Sequence, residues 1–345
     1  MKRKDERDIM FARMDYEPGT PQYDEYYSRN PEKKEIDDEL RERSELFSRD
    51  TPTYDAILSP AADANFDLLA DMRCLCEGVP AAGKTVLDPS EASRVIKNIA
   101  IHYGALDTAA IELDENDFYS IRGRLPESYG DKVDTSLRNT VVFVVRMDKD
   151  GVNTAPAITE SVVTSKAYVD AAVIGLQISY LIRKLGYNAR CHMDGNYLLQ
   201  LIPAAVKAGL GEKGRHGLLI SRANGAFVRI GAVTTDMPLE FDIAEPLNIE
   251  RFCKICRRCI KTCPAQTISE SQDPKDWHID QELCYGRWRH FGTDCGICIS
   301  TCPIGQDLPA REIAGMSNKD IYEFIEEYYK KYGTRKRAIG NNFYK

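Results

Sequence analysis

The chain has 345 residues, 43% of them hydrophobic and 29% charged, and its formal net charge is -7. This is enough apolar material for one large folded domain or two smaller ones, and the acidic balance argues against nucleic acid as the main partner. The apolar runs, such as residues 141–145, fall far short of the roughly 20 residues that a membrane-spanning helix needs, so we expect no integral membrane segment.

The amino-terminal region is dense in charge. It begins MKRKDERDIM, where no apolar stretch follows the basic residues, as a secretory or twin-arginine signal would require. We therefore expect a cytoplasmic protein, or alternatively an exported mature form whose signal peptide has been removed. Residues 1 to about 50 repeat Tyr, Pro and Glu, which predicts a segment that buries no core of its own and wraps the main domain. We assign residues 1–60 to this extension.

The sequence contains a P-loop pattern without the secondary structure that a P-loop requires. Gly78 to Thr85 reads GVPAAGKT and fits every fixed position of the P-loop pattern. A working P-loop needs a strand before it and a helix after it, whereas residues 62–77 look helical and Asp88-Pro89 stops any helix within a turn. We interpret the segment as a loop. Cys74 and Cys76, just before it, are more typical of buried thiols than of ligands.

Helix and strand patterns alternate over residues 61–245, which predicts an α/β core. The longest helix is expected to begin at Ser165 and end at Gly186, with Tyr168 on its apolar face. An Asn224-Gly225 turn between two apolar runs predicts a β-hairpin. The other predicted elements are a helix from Ser90 to Gly104, strands over 109–113 and 141–145, a short strand after Gly186, a helix near 198–208, and hairpin strands over 218–220 and 227–233.

Eight of the eleven cysteines lie in two runs of four, over residues 246–315. The first run has the C-x2-C-x2-C-x3-C-P spacing of iron-sulfur proteins and comprises Cys253, Cys256, Cys259 and Cys263. The second is looser at its start and comprises Cys284, Cys295, Cys298 and Cys302. Two [4Fe-4S] clusters in a bacterial-ferredoxin-like module fit both runs. Beyond this module, residues 316–345 are expected to form a charged helix and a basic tail.

The fourth cysteine of each run is expected to reach the cluster of the other run. This crossing predicts one cluster on Cys253, Cys256, Cys259 and Cys302, and the other on Cys284, Cys295, Cys298 and Cys263. Structural zinc would use paired Cys-x-x-Cys or Cys/His sets, and a disulfide network is typical of small secreted chains. Both alternatives fit the spacing less well.

Several segments of the chain resemble the corrinoid-dependent, iron-sulfur reductive dehalogenase family. In the cysteine region they are FCKICRRCIKTCPAQTIS, the stretch from Trp277 to Cys284, and CYGRWRHFGTDCGICISTCP. In the core they are LIRKLGYNAR, PAAVKAGLGEKGRHGLLIS and VTTDMPL. The amino-terminal DERDIMFARM and YYSRNPEKKEIDDELR are also similar to that family, so the resemblance covers nearly the whole chain.

The resemblance implies a nitroreductase-like core that binds base-off cobalamin, and two [4Fe-4S] clusters that reduce its cobalt. It implies an oxidoreductase that replaces a carbon-bound halogen of an organohalide by hydrogen, fed by a low-potential donor such as a ferredoxin or flavodoxin. It further implies Tyr168 as the proton donor and Arg229 as the basic partner that lowers its pKa. Asn196 is the implied pocket residue that orients Tyr168 or the substrate.

Taken without the resemblance, these residues have ordinary interpretations. Tyr168 belongs to the apolar stripe of its helix, Arg229 alternates with apolar strand neighbours, and Asn196 follows a glycine as in a turn. We assign Cys191 and His192 to the core. His192-x-x-Gly195 is all that remains of the D-x-H-x-x-G motif of histidine-on corrinoid proteins, so we expect no lower histidine ligand to cobalt.

Two alternative functions stay open. One is a cobalamin and iron-sulfur reductase like epoxyqueuosine reductase, although the acidic chain has no obvious basic patch for tRNA. The other is a corrinoid-binding electron-transfer protein without turnover of its own. The only tryptophans, Trp277 and Trp288, lie in the cysteine region, which predicts a pocket more open than the aromatic-lined pockets of respiratory dehalogenases.

Overall fold

A computed structural model of the chain describes residues 3–338, so the end of the basic tail lies outside the described residues. The helices are α1 Met10–Met14, α2 Pro21–Arg29, α3 Pro31–Glu42, α4 Leu58–Met72, α5 Pro89–His102, α6 Lys149–Val152, α7 Ile158–Lys184, α8 Leu201–Lys207, α9 Ile249–Cys256, α10 Arg258–Thr262, α11 Gln281–Phe291, α12 Ile297–Ser300 and α13 Asn318–Tyr332. The strands are β1 Asp107–Glu112, β2 Asn139–Arg146, β3 Ala189–His192, β4 Gly211–Lys213, β5 Leu219–Ser221 and β6 Val228–Thr235. The fold is therefore mixed α and β, as predicted.

The core is a four-stranded sheet in the order β1-β2-β6-β3, and every pairing in it is antiparallel. Strand β2 has the near-continuous apolar sequence of a strand that is covered on both faces, and residues 141–145 are buried throughout. Strand β6 runs between β2 and β3, with Arg229 opposite Val145. The antiparallel pairing makes this an α+β arrangement rather than a βαβ-wound one.

The helix α7 crosses one face of this sheet. It packs so closely that a Cβ atom added at Gly175 would lie 2.7 Å from the sulfur of Cys191 on β3. The predicted start at Ser165 is wrong, because the helix begins at Ile158 and Ser165 is fully buried within it. The predicted end is close, since the helix stops at Lys184 and Gly186 has a φ of +88°, which glycine adopts readily.

The start of α5 and the segment before it differ from the prediction in some details. The cap of α5 is Asp88, whose carboxylate accepts hydrogen bonds from the backbone N–H groups of Ser90 and Glu91, so Ser90 is not the cap. The segment from Gly78 to Thr85 is irregular and continues to α5 without a helix at its lysine, as predicted for a loop. Of the two cysteines before it, Cys76 is buried as expected and Cys74 is exposed.

The predicted β-hairpin around Asn224-Gly225 is wrong. Strand β5 pairs with β4 in a separate two-stranded sheet, whereas β6 pairs with β2 and β3. A single bridge joins Ser221 to Gly225, after which the two strands diverge. The eight-residue strand β6 gains two long antiparallel partners in the central sheet, which a local hairpin with the three-residue β5 does not offer.

The amino-terminal segment forms a small core of its own, contrary to the prediction. Four tyrosines are buried against one another there: Tyr16, Tyr23, Tyr26 and Tyr27. Beside them, the carboxylate of Asp37 accepts two hydrogen bonds from Arg13, at 2.9 Å from Nε and 2.5 Å from Nη2. The high charge density of this segment therefore did not indicate its buried aromatic cluster, which lies beside a buried ion pair.

The cysteine region is joined to the sheet domain through a continuous apolar core, which includes Phe252, Trp277 and Ile299 together with residues of β2 and α7. The carboxylate of Glu212 on β4 accepts hydrogen bonds from three successive backbone N–H groups, those of residues 247–249, at the start of α9. This anchors the first cysteine-bearing helix. Over residues 3–338, no helix is long and apolar enough to cross a membrane.

Candidate active site and cysteine groups

Tyr168 and Arg229, which are 61 positions apart in sequence, meet where α7 crosses β6. The guanidinium carbon of Arg229 lies 4.9 Å from the centre of the Tyr168 ring, within the range of a cation–π contact. The Arg229 side chain is only 15% exposed. The alternation of β6 sends it toward α7, where Nη2 lies 3.5 Å from the hydroxyl of Thr164, so it faces the helix rather than solvent.

Acidic residues complete this site, and the sequence prediction missed them. An Asp294 oxygen lies 3.8 Å from Nη2 of Arg229, and the hydroxyl of Thr164 donates a hydrogen bond of 2.9 Å to the Glu160 carboxylate. Glu160, Thr164 and Tyr168 follow one another at intervals of four residues, so they share one face of α7. Two features of the sequence could have identified these acidic residues: the four-residue spacing along α7, and the position of Asp294 directly before Cys295.

Burial decides the protonation of the tyrosine. It raises the pKa of Tyr168 above 10, although Arg229 opposes this and lowers it. Arg229 therefore lowers this pKa, as expected, but burial has the larger effect and the net shift is upward. Burial and the nearby Asp294 also raise the pKa of Glu160 well above its ordinary value. The site consequently presents a protonated phenol at neutral pH, which suits an acid rather than a base.

The side chain of Asn196 forms its hydrogen bonds with residues other than Tyr168. Its side-chain oxygen accepts a hydrogen bond of 2.6 Å from Arg190, and its nitrogen donates to the backbone carbonyl of Arg73 at 3.3 Å. Nothing in these contacts orients Tyr168. The adjacent Tyr197, which the prediction did not name, shares the electrostatic environment of Tyr168.

Cys191 and His192 are core residues, as expected, with exposures of 0% and 1%. Both ring nitrogens of His192 are engaged: Nε2 lies 3.0 Å from the Thr234 hydroxyl, and Nδ1 accepts from the backbone N–H of Leu198 at 3.2 Å. This ring has no free nitrogen with which to bind a metal.

The first cysteine group comprises Cys253, Cys256, Cys259 and Cys302. All four line one cavity, and the charges of the first three raise the pKa of Cys302 after the larger effect of its burial. Arg257, between the second and third cysteines, has a φ of +49° and separates α9 from α10. This left-handed residue turns the chain sharply, so that cysteines on two short helices face the same space.

The second cysteine group comprises Cys263, Cys284, Cys295 and Cys298. Burial raises the pKa of Cys298 well above the ordinary thiol value, and the charges of the other three members add to this, together with that of Cys259 from the first group. Cys295 and Gly296 both have positive φ, +67° and +61°, at the start of α12. The first crossed set shares one cavity and the members of the second influence one another electrostatically, while the assignment of both sets to clusters stays a prediction.

The chemistry of both groups suits an iron-sulfur cluster. Burial raises the pKa of Cys256 to about 11 and that of Cys259 to about 12, so bare thiolates are unfavourable there and a cationic iron core would offset the cost. Among the described residues, no three His, Cys, Asp or Glu side chains converge closely enough to hold a single metal ion. A cubane needs wider spacing, because its irons lie between the ligand sulfurs.

The second cysteine group adjoins the tyrosine site directly. Asp294 contacts Arg229 and immediately precedes Cys295, and a Cβ atom added at Gly296 would lie 2.5 Å from the Glu160 carboxyl group. The fold and these contacts define a mixed α/β protein in which a partly buried tyrosine–arginine pair lies beside two sets of four thiols.

Comparison with curated proteins identifies relatives of this class. A tetrachloroethene reductive dehalogenase from Desulfitobacterium hafniense is 36% identical over 182 residues, covering 48% of this chain and 32% of the relative. One from Sulfurospirillum multivorans is 30% identical over 183 residues, covering 50% and 36%. An epoxyqueuosine reductase from Vibrio cholerae is 38% identical over 95 residues, covering 28% and 24%. No protein-family model matches the chain.

Solved structures extend the likeness in fold. A catabolic reductive dehalogenase in complex with 3-bromo-4-hydroxybenzoic acid matches with a TM-score of 0.76 at 20% identity, covering 98% of this chain and 47% of that one. The chain spans about a third of the length of the curated dehalogenases and about half of this solved chain. The chain is similar to reductive dehalogenases in sequence along about half of its length and in fold along nearly all of it, as its motifs predicted.

Proposed function

We propose that the chain catalyses reductive dehalogenation, the replacement of a carbon-bound halogen in an organohalide by hydrogen with release of halide. The balanced reaction takes two electrons and one proton per halide released. Base-off cobalamin in a nitroreductase-like region, residues 61–245, would when bound supply the electrons for carbon–halogen cleavage, and two [4Fe-4S] clusters in a ferredoxin-like region, residues 246–315, would deliver them. A low-potential ferredoxin or flavodoxin is the proposed donor.

The observation that carries this proposal is the contact between the tyrosine site and the second cysteine group. Reductive dehalogenation needs a proton donor and an electron source at the same carbon. Here a protonated Tyr168 is paired with Arg229, and Asp294 connects that arginine to Cys295. An electron-transfer protein without turnover has no need for an acid at this position.

The proposed roles follow from the contacts. The Tyr168 hydroxyl acts as a general acid and donates its proton to the carbon that loses halide. Arg229, at 4.9 Å from the ring, stabilises the phenolate that is left behind. The Asn196 side chain is held by Arg190, so its proposed contribution is to the shape of the pocket wall rather than to the orientation of Tyr168.

The binding residues for the clusters are the two cysteine groups, with the first group on one cluster and the second on the other. The raised pKa of Cys284, about 11, and of Cys295, about 12, means that metal binding must displace protons from both thiols. Cluster formation is therefore expected to be favoured at alkaline pH.

The test is anaerobic reconstitution of the full chain with iron, sulfide and cobalamin, followed by measurement of halide release from a panel of haloalkenes and halophenols under a low-potential reductant. Halide release that requires both cobalamin and the clusters supports the proposal. Cobalamin binding with reduction to Co(I) but without halide release from any substrate would instead favour the electron-transfer alternative.

Epoxyqueuosine reduction is the second candidate, because 95 residues are 38% identical to an epoxyqueuosine reductase from Vibrio cholerae. Conversion of an epoxyqueuosine-containing tRNA stem loop by the same reconstituted protein, without halide release from the panel, would select it.

A further inference from the structure

Two buried side chains with unpaired N–H groups line the cavity of the first cysteine group. Arg215 is 0% exposed and His216 is 2% exposed, and both lie in the turn between β4 and β5. The Arg215 guanidinium packs on the Trp277 ring, with its carbon 4.4 Å from the ring centre. Its Nη1 donates to the carbonyls of Ser269 and Ser271 at 3.1 and 2.8 Å.

The remaining donors of Arg215 are not used by the protein. Its Nε and Nη2 atoms are buried and have no hydrogen-bond partner in the described part of the chain. The acidic residue nearby, Glu270, forms its ion pair with Arg257 instead, at 2.8 Å. A fully buried guanidinium without an anion is strongly unfavourable, so this arrangement calls for a negatively charged group in the cavity.

The tautomer of His216 is set by its neighbour. The backbone N–H of Leu218 donates to Nδ1 at 3.2 Å, so Nδ1 is the acceptor and the ring proton is on Nε2. That Nε2–H group is also buried and has no partner within residues 3–338. Three donor atoms on two adjacent residues thus lie at one wall of the cavity.

The two cysteine groups differ in the charged residues beside them. The first has the guanidinium of Arg215, which interacts with Cys253 and Cys259. The second has the carboxyl groups of Glu160 and Asp294 beside Cys295, and the guanidinium of Arg335 also interacts with this cysteine. A cubane gains negative charge on reduction, and hydrogen bonds to its sulfurs and net charge around it set its potential.

We propose that Arg215 and His216 donate N–H···S hydrogen bonds to the cluster on the first cysteine group, and that they make it the more easily reduced of the two clusters. An electron that enters the protein then resides on the first cluster before it moves to the second, beside Tyr168. Both residues are positioning residues that act through the cluster. The inference rests on the proposed function only in requiring that both groups carry clusters.

The test is a redox titration of the anaerobically reconstituted full chain, followed by electron paramagnetic resonance. The Arg215→Met variant, which keeps volume and removes the charge, should lower the ratio of reduced to oxidised first cluster at a fixed potential at least tenfold, a shift of about 59 mV for one electron. The second cluster should shift less. The cluster that shifts must be the one that Cys302→Ser abolishes.

Controls separate hydrogen bonding from general damage. His216→Met should shift the same cluster in the same direction, and His216→Gln, which keeps a side-chain N–H donor, should restore it. Arg222→Met removes a partly exposed arginine, 41% exposed and paired with Asp107, and should leave both potentials unchanged. If a variant loses iron, pulsed paramagnetic resonance on wild-type protein with 15N-labelled histidine still decides, because a histidine nitrogen must couple to the reduced first cluster.

Unshifted potentials in both variants, equal shifts of both clusters, or no histidine coupling in the wild type would overturn the inference. These outcomes are separable from failure of the proposed function. Halide release together with unshifted potentials would refute only the role of Arg215 and His216. Shifted potentials without halide release would refute only the proposed dehalogenation. A wild-type chain that takes up no cluster removes both.

Discussion

Replacement of Tyr168 by phenylalanine isolates the proposed proton donor. The change keeps the ring that packs on Phe66 and beneath Arg229, and within the described chain the hydroxyl has no hydrogen-bond partner to lose. General acids contribute about 10²- to 10⁴-fold to rate, so turnover should fall by that factor, or by about 2.7 to 5.4 kcal/mol in activation free energy. The absorption spectra of bound cobalamin and clusters should stay the same.

The matched control is Tyr180→Phe. Tyr180 is on the same helix, is 46% exposed, and also has an arginine over its ring, Arg183 at 4.3 Å. The assay is steady-state halide release by the reconstituted variants. Turnover by Tyr168→Phe equal to that of the control would remove this residue from the mechanism.

The pH dependence of the wild type follows from the same site. Because burial raises the pKa of Tyr168 above 10, the acid form persists as the pH rises, and it is lost only when the pH passes this raised value. The halide-release rate should therefore show no loss attributable to this group from about pH 6 to about pH 9. A tyrosine-dependent fall in rate near neutral pH, absent in Tyr168→Phe, would contradict the reasoning.

Four other substitutions test the cysteine groups and the packing. Cys302→Ser and Cys263→Ser should each remove a different cluster, so that iron analysis gives roughly half of the wild-type content and the two variants retain different paramagnetic signals. Asp37→Asn leaves the buried Arg13 with only Glu282 as its anion and removes charge-assisted hydrogen bonds, so it should lower the free energy of unfolding by about 1 to 3 kcal/mol in urea titrations; an unchanged midpoint would refute the stabilising role of the buried ion pair. Gly175→Ala should cost about 1 to 3 kcal/mol because its Cβ meets a sulfur 2.7 Å away, whereas Gly83→Ala, with nothing within 4 Å, should be neutral in the same titration.

Local patterns predicted the elements of the fold well where burial determines the order of apolar and polar residues. The apolar run of β2 and the helical spacing along α7 identified both elements, because burial imposes these periods directly. Helix starts were less predictable. Serine is a common residue at helix starts, so Ser165 in the interior of α7 was mistaken for a cap. Only tertiary packing distinguishes a buried serine within a helix from one that begins it.

Pairing of strands could not be predicted from local signals. The Asn224-Gly225 turn does close a bridge, but the partner of β6 is chosen by long strands far away in sequence. The tyrosine core of the amino-terminal segment was hidden for a related reason. Its charges pair with one another, as Arg13 does with Asp37, so charge density did not mean exposure to solvent.

The candidate site was predictable in part. Cysteine spacing alone gave the two crossed groups, because short spacings restrict which thiols can face each other. Tyr168 and Arg229 required the family resemblance, since nothing in a helix or strand period brings positions on α7 and β6 together. Glu160 and Asp294 were missed, because a buried carboxyl group resembles any surface acid when it is considered without its neighbours.

The helix α7 carries Glu160, Thr164 and Tyr168 on one rigid rod, and this fixes a length within the protein. Eight residues of α-helix span about 12 Å, so the separation between the second cysteine group and the phenol is determined by helical pitch rather than by a flexible loop. A single residue inserted between Glu160 and Tyr168 would turn the phenol by about 100° around the helix axis and uncouple it from Arg229. Loop insertions elsewhere in the chain would leave this separation unchanged.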